Sequence, residues 1–225
     1  MQFSGKVSVV IPCLNEASSV GICVAEARYV FNEQRMDGEI IVVDNGCIDL
    51  SNFIASDNGA RVVKQPLRGY GAAYLKGLSE AQGDYIVIAD ADTSYCLCNL
   101  ADFIEPLTRG YDFVIGNRFG GSRLSMPWKS RYIGNPILSG MFRLLFKTKI
   151  TDIHCGMRSF TKEAYLKMDL KSTGMEFASE MVASAIRNKL KICELPINYY
   201  PRIGKSKLNP IRDAIRHFYW MLKNV

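Results

Sequence analysis

The sequence has no uninterrupted apolar run of about 18 residues, so no stretch reads as a helix crossing a bilayer. It opens without the basic-then-apolar pattern of a secretory signal; Val7 to Ile11 reads as a strand instead. There is no Cys-x-x-Cys pair, and the seven cysteines are odd in number and scattered. Cys96-Leu97-Cys98 has only one histidine at all near it in the chain, too few partners for a zinc centre, so the thiols are expected to be reduced, in a cytosolic setting. Repeats and low-complexity linkers are missing as well, which predicts one continuous domain over 1–225. The basic residues form no aromatic-interleaved stripe, so nucleic acid is not an expected partner.

What remains is an ordinary globular mix of 225 residues, 48% hydrophobic and 22% charged, long enough to bury a sizeable core. Lys and Arg outnumber Asp and Glu by 28 to 22, a formal charge of +6. Such mild basicity suits anionic partners: nucleotides, phosphates, or an anionic membrane face.

The chain is organised around Asp84 to Tyr95. Tyr85 to Ala89 is a short apolar run of the kind found in buried central strands, and it stops at Asp90-Ala91-Asp92. In extended chain, residues two apart point the same way, so both carboxylates can converge just past the strand end. Two hard oxygen ligands there suit Mg²⁺ or Mn²⁺, and the carboxyl ends of strands are where open α/β sheets bind ligands. Taken alone, the same pattern also fits a solvated turn.

Upstream, Lys6 to Glu16 is a strand stopped at Pro12, followed by a helix from Ala17 to Phe31 capped by Asn15 or Ser18. Glu39 to Asp44 is a second buried strand, Asp49 to Ser56 a helix, and Arg61 to Lys64 a third strand. Gly69 to Ser79 is a glycine-opened helix whose small residues would let backbone approach a ligand. Alternating strands and helices predict an α/β fold with a mostly parallel sheet. Downstream, Tyr111 to Arg118 is another strand. Ser130 to Phe146, interrupted by Gly134 and Pro136, is expected to form two short amphipathic helices. Asp152 to Arg158 is a polar turn, with His154 a structural member of it, leading to a strand at Ser159-Phe160; Lys191 to Tyr199 closes the sheet.

In order, "SVVIPCLNE", "IIVVDNGCIDLS", "GYGAAYLKGLSEAQGDYIVIADADTSY", "GNRF", "DIHCGMRSF", "GMEFASEM" and "RIGKSKL" make the chain resemble the family 2 glycosyltransferases of GT-A fold. Within that family it is similar to the dolichol- and polyprenyl-phosphate mannose and glucose synthases. The chain departs from the family pattern at Leu14, usually aromatic, at Asn45, usually Asp, and at Cys47, usually Ser. The resemblance implies a GT-A, Rossmann-like sheet flanked by helices, with amphipathic helices in the C-terminal half. It divides the chain into a nucleotide-sugar and metal half over 1–95, an acceptor half over 96–208, and a C-terminal helix over 209–225. Pro12, Leu14 and Glu16 would line the base and ribose pocket, with Val42 and Asp44 beneath. Asp90 and Asp92 would hold Mg²⁺ or Mn²⁺ on the donor diphosphate, Asp92 acting in catalysis, with Ala91 and Ser94 alongside. Arg118, Arg202 and Lys207 would surround the phosphates.

A sugar hydroxyl must lose a proton as it attacks, whereas a lipid monophosphate is already an anionic nucleophile at neutral pH. The second half supplies Arg118, Arg123, Lys129, Arg131, Arg202, Lys205 and Lys207, suited to a phosphate acceptor. Glu176 or Glu180 could serve as a base or equally as a helix cap, and the 202–208 segment could wrap a phosphate or be a solvated basic turn. The expected function is inverting hexosyl transfer from a nucleotide sugar of the UDP-glucose or GDP-mannose type to a polyprenyl or dolichyl phosphate. Its alternatives are a carbohydrate hydroxyl acceptor and a non-catalytic nucleotide-sugar-binding module. Ile211, Ile215, Phe218 and Leu222 share one helical face beside Arg212, Arg216 and Lys223, which predicts a protein peripheral to the inner face of a membrane. Anchoring segments beyond Val225 are part of that expectation.

Overall fold

The computed structural model of the protein describes residues 5–121, 134–204, 206–207 and 210–225. Seven strands form one sheet: β1 (Val7–Cys13), β2 (Gly38–Asp44), β3 (Arg61–Lys64), β4 (Tyr85–Ile88), β5 (Phe113–Asn117), β6 (Arg158–Thr161) and β7 (Ile192–Pro196). Their spatial order is β3-β2-β1-β4-β6-β5-β7. The pairs β3–β2, β2–β1, β1–β4 and β5–β7 are parallel, while β6 runs antiparallel to both β4 and β5. Eight α-helices flank the sheet among the described residues: α1 (Val20–Glu33), α2 (Ser51–Asp57), α3 (Tyr70–Glu80), α4 (Leu100–Thr108), α5 (Asn135–Phe146), α6 (Lys162–Met168), α7 (Phe177–Arg187) and α8 (Pro210–Lys223). The expected α/β class and mostly parallel sheet are what the chain adopts.

The register explains why one sheet edge collects polar residues. Cys13 at the end of β1 lies opposite Asp44 at the end of β2, and Val10 lies opposite Ile88 at the end of β4. The segments after β1, β2 and β4, carrying Glu16, Asp44 and Asp90 to Asp92, therefore leave the sheet at the same edge. Arg158 in the antiparallel β6 pairs with Ile88 and with Ile115, which places it at that edge too. Below, β1, β2 and β4 are apolar and buried on both faces, as expected of central parallel strands covered by helices.

Two local expectations are corrected. A single helix, α5, occupies 135–146; Pro136 stands in its first turn, where the missing N–H and fixed φ start a helix rather than break one. The stretch 130–133 lies outside the described residues. Helix α1 begins at Val20 behind Ser19, and neither Asn15 nor Ser18 caps it: the Asn15 side chain accepts a bond from the Ile48 N–H at 2.8 Å.

The C-terminal α8 packs against α5, with the Phe146 and Trp220 rings stacked 6.4 Å apart. Its inward residues are His217, 5% exposed, and Met221, 0% exposed; Ile215, Phe218 and Leu222 stay 62%, 42% and 55% exposed. His217 binds Ser179 at 2.8 Å and meets the His154 ring edge-on at 4.5 Å, so His154 is the structural residue expected, anchoring a helix rather than only a turn. Burial lowers the pKa of both imidazoles, that of His217 to about 4, so both are neutral at pH 7.

Helix α3 lies close against the sheet at Gly77, where an added Cβ would overlap Val10 Cγ1 and come within 2.7 Å of Val43 Cγ2. Gly77→Ala is expected to destabilise the fold by about 1–3 kcal/mol despite alanine's better helix propensity. Equilibrium urea unfolding measures this; an unchanged or raised midpoint would contradict the packing described.

Candidate active site

The residues after β1 and β4 face a strap whose described residues are 199–204 and 206–207. Asp92 Oδ1 accepts bonds from the Ser94 N–H at 3.0 Å and hydroxyl at 2.5 Å, which fixes its rotamer. Its Oδ2 lies 3.1 Å from Arg202 Nη2. Arg202 also approaches Glu16 Oε1 at 3.8 Å, and Lys207 forms an ion pair with the same oxygen. The strap is tied to the acidic loop through its backbone as well: Tyr200 N–H donates to Ser94 O at 3.1 Å and Ile203 N–H to Asp92 O at 2.9 Å. Glu16 is 6% exposed, and its Oε2 is buried without a hydrogen bond. Thr93 sits at φ +62°, a region β-branched residues avoid, at a cost of about 1–2 kcal/mol. Its hydroxyl donates to Asp92 O at 2.6 Å.

Asp90 follows β4 and is held from below. Tyr70 and Tyr74, one turn apart on α3, donate their hydroxyls to Asp90 Oδ1 at 3.1 and 3.3 Å. Burial, and then the neighbouring Asp92 carboxylate, raises the Asp90 pKa to about 6 despite these bonds. A carboxylate so placed gains from an added cation.

The β2 end is organised by Asp44 and Asn45. Burial would raise the Asp44 pKa, but the N–H groups of Cys47 (2.7 Å) and Gly46 (3.0 Å) hold it below its usual range. Asn45 donates to Gln65 O and Leu67 O, and accepts from Gly69 N–H at 2.9 Å. An aspartate could not make the two donations, so Asn45 braces the loop entering α3. The glycines opening α3 serve a different approach from the one expected. A Cβ on Gly71 would overlap Ser172 O, and Ala72 N–H binds Thr173 O at 2.9 Å: the small residues admit the 172–174 backbone, not a ligand.

Pro12 and Leu14 are half-buried beside Glu16, as a pocket lining requires. Val42 is a core residue at 0% exposure, so its side chain is no pocket wall. Ala91 and Ser94 are likewise buried; Ser94 acts on Asp92.

The cations divide. Arg118 is not an open phosphate ligand: its Nε and Nη2 each bind Asp152 at 2.7 Å in a buried bidentate pair. Arg202 and Lys207 lie in the strap against the carboxylates. Arg131, with Arg123, Lys129 and Lys205, lies outside the described residues. Glu176 occupies the N-cap position of α7; its Oε1 accepts from Gly174 N–H at 3.2 Å, and its buried Oε2 makes no hydrogen bond and lies 3.8 Å from Arg216 Nε. Glu180 accepts from the N–H groups of Lys171 and Ser172, a structural task.

The model of the family described as "Glycosyl transferase family 2" matches residues 8–168, most of the chain. The chain belongs to that family. Among its relatives, low-salt glycan biosynthesis hexosyltransferase Agl6 of Haloferax volcanii is 38% identical over 220 residues, covering 96% of this chain and 53% of Agl6. The chain thus spans about half the length of that relative. A dolichyl-phosphate hexose transferase of the same organism is 29% identical over 204 residues, covering 90% of this chain and 86% of its own. The crystal structure of glucosyl-3-phosphoglycerate synthase from Mycobacterium tuberculosis with Mg²⁺ and uridine diphosphate superposes with a TM-score of 0.76 at 20% identity, over 98% of this chain and 79% of that one. The fold is GT-A.

For a family 2 glycosyltransferase, the donor set fits a hard divalent cation. Asp90 carries an excess of negative charge that neutral hydroxyls only partly offset, and the Arg202 guanidinium supplies Asp92 with the positive charge a metal would share. Sequence reasoning missed Asp152, Tyr70 and Tyr74. The Tyr-x-x-x-Tyr spacing on one face of α3 was a usable signal; nothing in the sequence links Arg118 to a residue 34 positions away.

Asp152→Asn leaves the Arg118 charge buried without its counter-ion, and is expected to lower the unfolding free energy by about 3–5 kcal/mol. Replacing both residues by Met and Leu should restore much of it. Denaturant titrations of the three proteins check this, and a single-variant loss below about 1 kcal/mol would return Arg118 to the phosphates.

Proposed function

We propose that the protein transfers a hexose from a nucleotide sugar to a polyprenyl phosphate at a membrane surface, with inversion at the anomeric carbon. The observation that carries this is the basic strap laid over the acidic strand ends, with Arg202 against Asp92 and Lys207 against Glu16. Cations held there face both the diphosphate that departs and the phosphate that attacks. The dolichyl-phosphate hexose transferase among the relatives supports the choice of acceptor.

On this proposal Pro12, Leu14 and Glu16 receive the nucleoside, and the buried Oε2 of Glu16 is left to accept from a ribose hydroxyl. Asp44 keeps the 46–47 backbone in place beneath it. Asp90 and Asp92 would hold Mg²⁺ or Mn²⁺, which would supply positive charge to the departing diphosphate. An acceptor phosphate oxygen forms the new bond to the anomeric carbon as the bond to the diphosphate oxygen breaks, and the nucleoside diphosphate leaves. Arg202 and Lys207 stabilise the charge on both phosphates as preorganised cations. No general base is needed, because a phosphate acceptor arrives ionised. A hydroxyl acceptor has one observation in its favour: Oε2 of Glu176 is buried and accepts no hydrogen bond, as a base awaiting a proton would.

A screen of UDP- and GDP-hexoses with a short polyprenyl phosphate, read by the mass of the lipid product, tests both. Asp92→Asn is expected to lose about 100-fold or more in turnover with an unchanged circular dichroism spectrum. The dephosphorylated lipid should give no product. Product formed only with an oligosaccharide, and lost in Glu176→Gln, would favour the hydroxyl acceptor.

The membrane enters through α8 and α5. No helix among the described residues is long and apolar enough to cross a bilayer. Instead Ile215, Phe218 and Leu222 on α8, with Ile137 and Leu144 on α5, are exposed near the basic Arg212, Arg216 and Lys223. Co-sedimentation with anionic vesicles at low salt is expected, each nearby Lys or Arg contributing about 1 kcal/mol. An Ile215→Glu, Phe218→Glu double variant should stay in the supernatant; binding by both proteins alike would remove α8 from the proposal.

A further inference from the structure

The loop that carries Asp90 and Asp92 runs straight into a second group of ligand atoms, which the proposed transfer does not use. Cys96 and Cys98 flank Leu97, the first residue of a single 3-10 turn (Leu97–Asn99) ahead of α4. Glu26 reaches them from the middle of α1, and one of its oxygens accepts the Leu97 N–H at 2.8 Å. A carboxylate oxygen of Glu26 and the two Sγ atoms all lie within 4.8 Å of one another. Glu26 and Cys96 are half-buried and Cys98 is exposed. None of the ion pairs among the described residues involves Glu26. Near Cys96-Leu97-Cys98 in the chain there are too few partners for a metal; the fold supplies the third from about seventy residues upstream.

We propose that Glu26, Cys96 and Cys98 form a site for a thiophilic divalent cation, with zinc the ion that fits. Zinc takes thiolate sulfur at about 2.3 Å and carboxylate oxygen at about 2.0–2.2 Å in a tetrahedron, which sets neighbouring ligand atoms roughly 3.5–3.8 Å apart. The group therefore has to contract by about 1 Å, and the exposed Cys98 side chain is free to supply that by rotation. The Leu97 N–H bond fixes one carboxylate oxygen and orients the other, as outer hydrogen bonds do for metal ligands. Binding releases the two thiol protons to solvent, and a water molecule completes the fourth position on the open side near Cys98. Two thiolates and a carboxylate leave the bound site with one net negative charge, tolerable where Cys98 faces water.

The two cation sites differ in chemistry. Hard Mg²⁺ and Mn²⁺ prefer the oxygens of Asp90 and Asp92, whereas the sulfur pair selects zinc, so each ion sorts to its own place. Zinc at the second site would pin the downstream end of the 90–95 loop to α1, and so limit how far that loop can move.

The test uses the full chain, reduced and stripped of metal, titrated with Co²⁺ in excess Mg²⁺ and then with Zn²⁺. One equivalent of cobalt is expected to give intense tetrahedral visible bands and a thiolate-to-cobalt charge-transfer band, which zinc then abolishes. Asp92→Asn should keep these bands in full, and Glu26→Gln should weaken zinc binding without removing the sulfur signal. The Cys96→Ser, Cys98→Ser double variant should lose the charge-transfer band. Absence of that band in the wild type, an oxygen-only octahedral spectrum, its persistence in the double serine variant, or its loss in Asp92→Asn would each overturn the proposal. If the double variant does not fold, the wild-type and Asp92→Asn spectra decide alone. Because these readouts are spectroscopic, failure here leaves the transfer proposal untouched, and failure of transfer leaves this site standing.

Discussion

Carboxylates gathered at one edge of a sheet repel one another, and the loops around that edge are arranged to offset the repulsion. Two like charges about 4 Å apart cost roughly 4 kcal/mol at the effective dielectric of a protein surface. Glu16, Asp90 and Asp92 meet this in different ways. Glu16 and Asp92 share the cations of the 199–207 strap, and Ser94 takes the second oxygen of Asp92. Asp90 has the two tyrosine hydroxyls and the nearby Arg202 charge, yet burial and the Asp92 carboxylate still raise its pKa. Acidic loop and basic strap are joined by backbone bonds as well as by charge, so they form one unit.

The same edge holds two buried arginines with structural tasks. Arg118 is matched by Asp152, which links the end of β5 to the turn before β6. Among the described residues Arg158 has no carboxylate in hydrogen-bonding contact; it donates to the carbonyls of Cys155, Ile153 and Ala178 and so clamps that turn to α7. Among the described residues, strand β6 is antiparallel to both of its neighbours, wedged between β4 and β5. Both arginines fasten the turn that precedes it: Arg118 through Asp152, Arg158 through the Cys155 and Ile153 carbonyls. Arg202 and Lys207, on a half-exposed segment, keep their charge where a ligand could meet it.

The strands and their polar ends were legible because buried parallel strands are short apolar runs with abrupt stops, and the register follows once they are parallel. Pairings across the chain were not. The expectation for Arg118 failed because an arginine near a strand end looks the same whether it awaits a phosphate or holds Asp152. Val42 follows the same logic: a residue two before Asp44 shares its side of the strand, but at 0% exposure it belongs to the core below the site. The glycines of α3 suggest close approach of a ligand, but sequence does not say what approaches, and in the fold it is the 172–174 backbone. Asn45 departs from the family's aspartate because its amide must donate twice. Pro136 reads as an interruption in the sequence, yet it starts α5, because proline begins a helix as readily as it ends one.

Helix α8 is mounted the unusual way round. It buries a histidine and leaves three large apolar residues in water, the reverse of what a free-standing amphipathic helix would do. Burying a neutral imidazole is tolerable only with a partner such as Ser179, while each exposed Ile, Phe or Leu forgoes about 1.5–3 kcal/mol of burial. Rotating the helix by about a third of a turn would bring Ile215 or Phe218 inward, yet His154 and Ser179 hold His217 there instead. That orientation is unfavourable in water alone and favourable if the outer face meets an apolar phase, with Arg212, Arg216 and Lys223 beside it to meet anionic headgroups. On the proposed function, the same surface is where a polyprenyl chain would remain dissolved while its phosphate reaches the strap. On that proposal, burial of the outer face in the membrane would offset the cost of mounting α8 this way.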